Sequence, residues 1–541
     1  MRVGLVLLVF AAGCAHTHSE PSSLEAESQS DTEVSQPTEV TLTVPRTGPV
    51  HVHLVVPRER LPERPEEVEF AFSRVPESHN RVHVHPPLRK TTVSSAEDLI
   101  LDYDVDVPAL SGPHDGPLLF GSFDGPRGRH LVLWSLLPTF SGALHLGSMV
   151  PATVQVHSPL PIRTSLGVED GGFVATDLNE LYSGLVLAGR SVEVTAADGL
   201  RLVSFDFEPE NLARLAALEG RASQLLLQRF GPRRPLHMVA VHLDPSPFAS
   251  PGLKGINTGP TAIALLTGPP DGRASSLDNS VFLHELVHSS LPPEQHLLRW
   301  MTEGFTEYIT QRLSLELDGL PERVLRERLA DTWDAFVETT PSRRPSDTTM
   351  GDYYGGAVLA YCIDVRLRRD HGSLEAVLKR ARSRAGGEVT NAMWEEEIAL
   401  ASAPAGALVV NARTEPLDPV ATCFTEGGFV ARQAVPGVRD SYLRSLLGVT
   451  SVNLEPRHAD VLVTGVKGGP LAPGDAIVEV GGVRVVSLAH LKEVLATRPP
   501  EPLSVVVSRQ GALQRFELPV PPPRPGDLER VARPVWLEPR P

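Results

Sequence analysis

Residues 280–290, SVFLHELVHSS, contain His284-Glu285-Leu286-Val287-His288. Two histidines four residues apart on a helix stand about 40° apart around its axis, so both imidazoles can grip one metal ion with the intervening carboxylate beside them. Zinc suits such a nitrogen pair, and a catalytic zinc takes three protein ligands and leaves a fourth position for water. The downstream run RWMTEGFTEYI offers a third ligand in Glu303, on a second helix beginning just after Trp300. Glu307 lies one turn further along the same face, suited to orient a ligating histidine through its other ring nitrogen. A third stretch, Asp352-Tyr353-Tyr354-Gly355-Gly356, precedes an apolar helical run. A tyrosine hydroxyl there can donate a hydrogen bond to the oxyanion that forms when water attacks a carbonyl.

These side chains need rigid carriers. Ser280 can cap the first helix, Pro292-Pro293 stops it soon after His288, and Phe282, Leu283, Leu286 and Val287 give it an apolar face to bury. Upstream, short alternating runs broken by Pro and Gly (VTLTV, VHVHLVV, EVEFAF, RVHVH, LILDYDV, HLVLWSLL, ATVQVH) predict a β-sandwich-like domain over 40–165. His51, His53, His83 and His85 alternate on these strands without a patterned fourth ligand and read as surface or core pairs. Between 166 and 405, strands such as SVEVTA, RLVSFDF and LHMVAVHL alternate with long helical stretches and run into an all-helical part. A linker is expected over 406–439, a last small module over 440–520, and an irregular Pro-rich tail over 521–541. The chain therefore reads as a multidomain α+β protein.

At 541 residues, several domains are expected, and 41% apolar residues suffice for substantial cores. The formal charge of −16 excludes the concentrated Lys and Arg that a nucleic-acid surface needs. The three cysteines, Cys14, Cys362 and Cys423, are too few for a zinc cluster or a disulfide framework. Cys362, in AVLAYCIDV, reads as a buried helical thiol, and spacing leaves a pairing with Cys423 open. Cys14 follows Arg2 and the short apolar run VGLVLLVFAAG. That run is too short to span a bilayer, which takes roughly 20 residues. Residues 15–39, rich in Ser, Glu and Thr, read as a flexible tether, with His16 and His18 in a solvated tail.

The order His-Glu-x-x-His, Trp-x-x-Glu-Gly-Phe-Thr and Tyr-x-x-Gly resembles the gluzincin metallopeptidases, and more closely the glycyl aminopeptidase family. The resemblance implies zinc bound by His284, His288 and Glu303, with Glu285 as general base. It implies an oxyanion tyrosine matched by Tyr353, with Tyr354 the alternative. It further implies a β-rich N-terminal domain, a thermolysin-like catalytic domain and a C-terminal PDZ domain. Lys254-Gly255 replaces the family's Glu-His in the stretch lining the substrate site, and Gly355 stands where a Lys is common. The loop between His288 and Glu303 is also shorter than the family's. These departures leave aminopeptidase and endopeptidase specificity both open.

GGPLAPGDAIVEVGGVRV, followed by the helical run SLAHLKEVLA, resembles a PDZ domain of the protease-associated kind. This implies capture of a peptide as an added strand, with Leu446-Leu447-Gly448-Val449 as the carboxylate-binding loop. The segment AAGC resembles a bacterial lipobox, which implies a lipid on Cys14, export, and a cell-envelope location. Ala15 after that cysteine favours the outer membrane. The expected partners are a peptide or unfolded-protein substrate, a C-terminal peptide on the PDZ module, and a membrane through the lipid. The contrasting reading is a catalytically silent, lipid-anchored PDZ scaffold, which would have no need of zinc.

Overall fold

The computed structural model describes residues 36–536 apart from internal stretches, the longest being 72–82, 110–120, 244–253 and 268–279. The segment AAGC with Cys14, His16, His18 and Pro292-Pro293 lie outside the described residues. The chain is a mixed α/β protein of several units. Among the described residues no helix is long and apolar enough to cross a membrane.

The first unit pairs two sheets face to face. One is seven-stranded, in the order Gly167–Glu169, Gly172–Ala175, Ala152–His157, Thr38–Thr43, Val50–Val56, Leu99–Asp106, His83–His85. The other is four-stranded, in the order Ile162–Thr164, Leu185–Gly189, Gly128–Val132, Phe123–Asp124. Alternation explains the packing: Val50, Val52, Leu54 and Val56 are buried against Leu131, Val186 and Ala188, while His51 and His53 point outward. On the outer face His51 meets Asp104 at 3.0 Å, His53 meets Asp102 at 2.7 Å and His85 meets Asp106 at 3.1 Å. The strand histidines are thus exposed His–Asp pairs across neighbouring strands. The expected boundary at 165 is corrected: both sheets recruit later strands and the unit reaches Gly189. The strand LVLAG is buried throughout because it is covered on both faces, so it shows no alternation to read. At the other end the first strand begins at Thr38, two residues inside the expected tether.

A five-stranded sheet follows, in the order Val192–Thr195, Arg201–Ser204, Met238–Leu243, Ala262–Thr267, Lys254–Gly259. Its Leu202, Val239, Val241, Ile263 and Leu265 face the helices. Its Val203, Met238, Ala240, Ala262 and Ala264 face Phe123, Val132, Leu185 and Leu187 of the four-stranded sheet. That second contact encloses two histidines, His130 and His242, joined Nδ1 to Nε2 at 2.9 Å and ringed by Phe123 and Phe205. Burial, with His242 adding to it, holds the His130 pKa well below its ordinary value, and burial pushes His242 down to about 4. Both are neutral when folded and bind protons more readily when unfolded, so their contribution falls with pH from about 6.5 toward 4. The shift of His242 alone is worth on the order of 3 kcal/mol. Urea denaturation at pH 7, 6, 5 and 4 is therefore expected to show a steeper loss of stability in the wild type than in His130→Leu/His242→Leu.

The helical part comprises Pro209–Phe230, Ser280–Ser290, Arg299–Leu317, Glu322–Thr339, Gly356–Arg369, Leu374–Arg384, Asn391–Ala401 and Ala403–Asn411. The last of these corrects the expected linker over 406–439. Ala405 and Val409 are buried in the same core, as are Cys423, Phe424 and Phe429. Cys362 is buried as expected, but its sulfur is bonded to Cys423, which corrects its reading as a thiol. The disulfide ties the end of this part to the middle of helix Gly356–Arg369.

The last module is a sheet in the order Val449–Glu455, Asp460–Val466, Ala476–Val480, Leu503–Arg509, Ala512–Leu518, with Val483–Arg484 paired to Ala476–Val480. Helices Asp440–Leu447 and Leu488–Ala496 complete it. Gly481 and Gly482, at φ 58° and 80°, form the two-residue hairpin turn for which glycine is suited. The expected irregular tail is corrected in part: Leu528–Trp536 is a strand antiparallel to Phe429–Val438. This ribbon lies along helix Leu488–Ala496, where Lys492 pairs with Glu529 at 3.2 Å.

Candidate metal centre

His284 and His288 project from helix Ser280–Ser290, whose Phe282, Leu283, Leu286 and Val287 anchor it in the main core. Ser280 is the first residue of that helix and is buried. Helix Arg299–Leu317 packs against it and delivers Glu303. The side-chain donors of His284, His288 and Glu303 lie within 4.8 Å of one another, all buried, and form the only such group among the described residues. His284 Nε2 is 3.1 Å from His288 Nε2, and Glu303 Oε2 is 3.2 Å from the first and 3.4 Å from the second. Ligands held about 2.0–2.1 Å from a tetrahedral zinc sit about 3.3 Å apart along each edge. The three observed separations match that edge, so the residues fit the ion.

The outer nitrogens are held as ligation requires. Glu307 Oε2 lies 3.2 Å from His284 Nδ1. An ionised carboxylate only accepts, so Nδ1 carries the proton and Nε2 keeps its lone pair for a metal. Gln311 Nε2 donates to Glu307 Oε1 at 3.0 Å and fixes it in turn. Thr306 Oγ1 lies 3.4 Å from His288 Nδ1. Arg299, Glu303, Glu307 and Gln311 thus form a polar stripe at every fourth position of one helix. The sequence reading found Glu303 and Glu307 but passed over Arg299, Thr306 and Gln311, although the four-residue spacing was there to extend.

The electrostatics favour a cation at the centre. Burial works against charge on His284, but the Glu303 and Glu307 carboxylates outweigh it and carry its pKa up to about 9. Burial likewise opposes ionisation of Glu303 and Glu307, yet the imidazoles hold the Glu303 carboxyl well below its ordinary value and Glu307 below it. Removing the support is expected to loosen the metal: Glu307→Ala should weaken zinc affinity about 10- to 100-fold, and Glu307→Gln less. Competition against a chromogenic chelator measures both.

Glu285 follows His284 on the helix, about 100° further round, and is buried. Tyr353 lies in the π-helical turn Gly351–Gly355 that leads into helix Gly356–Arg369. Its ring centroid is 5.8 Å from that of His284. Of the two tyrosines weighed from the sequence, it is the one with a ring contact to His284. The Arg299 guanidinium carbon lies 6.0 Å from the Tyr353 ring centroid, with Nε 3.6 Å from Asp352 Oδ2. Burial, opposed by Arg299 and aided by the Glu303 charge, pushes the Asp352 pKa up to about 7. The strand Lys254–Gly259 is the last of its sheet and lies next to the His-bearing helix.

Two glycines set the distance between the Glu303 and Tyr353 sides. A Cβ on Gly304 would sit 2.3 Å from the Cα and C of Gly356, and one on Gly356 would sit 2.4 Å from the Trp300 carbonyl oxygen. The glycines of Glu303-Gly304 and of Tyr353-x-x-Gly356 are therefore the two faces of one helix crossing.

No protein-family model and no curated protein matches this chain. Solved structures do. The fold is similar to an aminopeptidase N family protein from Idiomarina loihiensis, at 15% identity over 92% of this chain and 98% of that chain, TM-score 0.54. A zinc metallopeptidase of the M1 family from Deinococcus radiodurans aligns at 18% identity over 71% of this chain and 94% of that one, TM-score 0.43. Leukotriene A4 hydrolase from Saccharomyces cerevisiae aligns at 12% identity over 71% of this chain and 68% of that one, TM-score 0.45. At these identities the first likeness establishes a common fold over nearly the whole chain.

Proposed function

We propose that this protein is a zinc-dependent peptidase that hydrolyses peptides or partly unfolded proteins outside the cytoplasm. The observation that carries the reading is the convergence of His284 Nε2, His288 Nε2 and Glu303 at tetrahedral-edge spacing, with Glu285 buried on the same helix as the histidines. A zinc ion held by these three residues would supply a Lewis acid that lowers the pKa of a bound water from about 16 to about 7. Glu285 takes the proton from the attacking water and passes it to the leaving amine. The Tyr353 hydroxyl donates to the oxyanion of the tetrahedral intermediate. Glu307 holds His284 in the tautomer that presents Nε2, and the Thr306 hydroxyl lies beside Nδ1 of His288. The outer edge of strand Lys254–Gly259, the last of its sheet among the described residues, suits an extended substrate laid down as a further strand.

The C-terminal module adds a peptide-capturing surface between the edge strand Val449–Glu455 and helix Leu488–Ala496, in the manner of a PDZ domain. Lipidation of Cys14 tethers the protein to the bacterial envelope, at the outer membrane. Peptide hydrolysis by the purified protein tests the catalytic reading. Cleavage that a chelator abolishes and zinc restores is the expected result, and no cleavage by the zinc-loaded protein of any peptide in a broad panel overturns it. Matched peptides with free and acetylated N-termini decide between aminopeptidase and endopeptidase action.

A further inference from the structure

The outer face of the seven-stranded sheet carries a His-x-His strand on each side of an Asp-x-Asp-x-Asp strand. Val50–Val56 supplies His51 and His53, Leu99–Asp106 supplies Asp102, Asp104 and Asp106, and His83–His85 supplies its two histidines. The register sets His51 opposite Asp104 and His53 opposite Asp102. Alternate residues of a strand share a face, so these four side chains stand toward solvent while Val50, Val52, Tyr103 and Val105 are buried beneath. On its other side Val50–Val56 meets Thr41 and Thr43, which bring no charge.

His51 addresses two carboxylates at once. Its Nδ1 lies 3.0 Å from Asp104 Oδ1 and its Nε2 lies 3.6 Å from Asp102 Oδ1. The same Asp102 oxygen is 2.7 Å from His53 Nδ1. An ionised carboxylate only accepts, and a neutral imidazole carries one proton. With that proton on Nδ1, where the carboxylate is nearer, Nε2 turns a lone pair toward an anionic oxygen. The face therefore calls for a cation between His51 Nε2 and Asp102, either a second proton or a metal ion. Asp104 on the outer nitrogen of His51 repeats what Glu307 does for His284, the arrangement that fixes a ligating ring. Two imidazoles and a carboxylate suit zinc, copper or nickel, whereas calcium and magnesium take oxygen ligands. The three donors are not drawn as close together as those of the buried centre. Their side chains are 40% to 56% exposed, so the imidazoles can swing toward Asp102 through solvent and not through packed atoms.

We propose that His51, His53 and Asp102 form a second metal site, for a divalent transition-metal ion, with Asp104 holding His51 from behind. Water completes the coordination, and the ion ties strand Val50–Val56 to strand Leu99–Asp106. The site goes beyond the peptidase reading and uses none of its residues.

The test is metal binding by the full-length protein. Equilibrium dialysis against Zn²⁺ at neutral pH should load a second, weaker ion per chain beside the one at the buried centre. Glu303→Ala should lose the tight ion and keep the weaker one, and His51→Asn/His53→Asn should do the reverse. Asp104→Ala should weaken the second ion about 10- to 100-fold. A second readout needs no variant: one equivalent of Cu²⁺ added to the zinc-loaded wild type should give an electron paramagnetic resonance signal split by two imidazole nitrogens. In His53→Asn one of the two should be gone. A single zinc per chain that Glu303→Ala removes would overturn the proposal and leave a second proton as the cation on this face. So would a copper signal without imidazole nitrogens, or a second ion that His51→Asn/His53→Asn retains. A second ion that disappears instead in His16→Asn/His18→Asn would belong to the N-terminal segment and overturn it equally. A single ion that Glu303→Ala keeps and His51→Asn/His53→Asn loses would remove the buried zinc centre and leave this site standing.

Discussion

Glu285→Gln is expected to lower peptide hydrolysis by about 10²- to 10⁴-fold while leaving zinc content and thermal midpoint unchanged. Glutamine fills nearly the same volume but cannot take a proton from the attacking water. Glu285 is not among the three converging ligands, so its loss should not release the metal. Measuring kcat and bound zinc on the same preparation checks both halves of the expectation. Zinc lost together with activity would make Glu285 a ligand or a structural residue instead of the base.

The second large effect is expected from Gly304. Its Cα faces Gly356 so closely that any Cβ meets backbone atoms at 2.3 Å and the Ala357 nitrogen at 2.8 Å. Backbone on both sides cannot give way as the end of a flexible side chain can. Gly304→Val must push helix Arg299–Leu317 away from helix Gly356–Arg369, which separates Glu303 from Tyr353. Overpacking of this kind costs about 3 kcal/mol or more, a fall of roughly 6–12 °C in Tm for a unit of this size. Zinc affinity should fall with it, because Glu303 is the neighbouring residue. A wild-type Tm and wild-type zinc affinity in Gly304→Val would show that the crossing is looser than described.

How much of this was legible in the sequence follows from which signals are local. The three candidate ligands announce themselves because helical spacing puts His284 with His288, and Glu303 with Glu307, on one face each. The outward histidines of Val50–Val56 are legible for the same reason, since one face of that strand is buried and the other is not. Strand Leu185–Gly189 hides its membership because it is buried between two layers and carries no alternation. The ribbon of Phe429–Val438 with Leu528–Trp536 was not legible, since its strands lie about 90 residues apart and contain Pro436 and Pro534. Proline argues against a central strand, yet each strand here has one neighbour among the described residues and tolerates it. The Cys362–Cys423 bond and the His130–His242 pair are likewise contacts between distant segments, which spacing alone does not encode. Arg299 was hidden differently. Its neighbours Asp352 and Tyr353 are some 50 residues away, and only the fold brings them beside its guanidinium.

Zinc stoichiometry of the purified wild-type protein beside Glu303→Ala tests the central claim most directly, because the claim is that these three residues form one metal centre. The account predicts close to one zinc per chain in the wild type and a large loss in Glu303→Ala, with both proteins folded. A folded wild type that holds no zinc, or a Glu303→Ala variant that holds as much as the wild type, would contradict it.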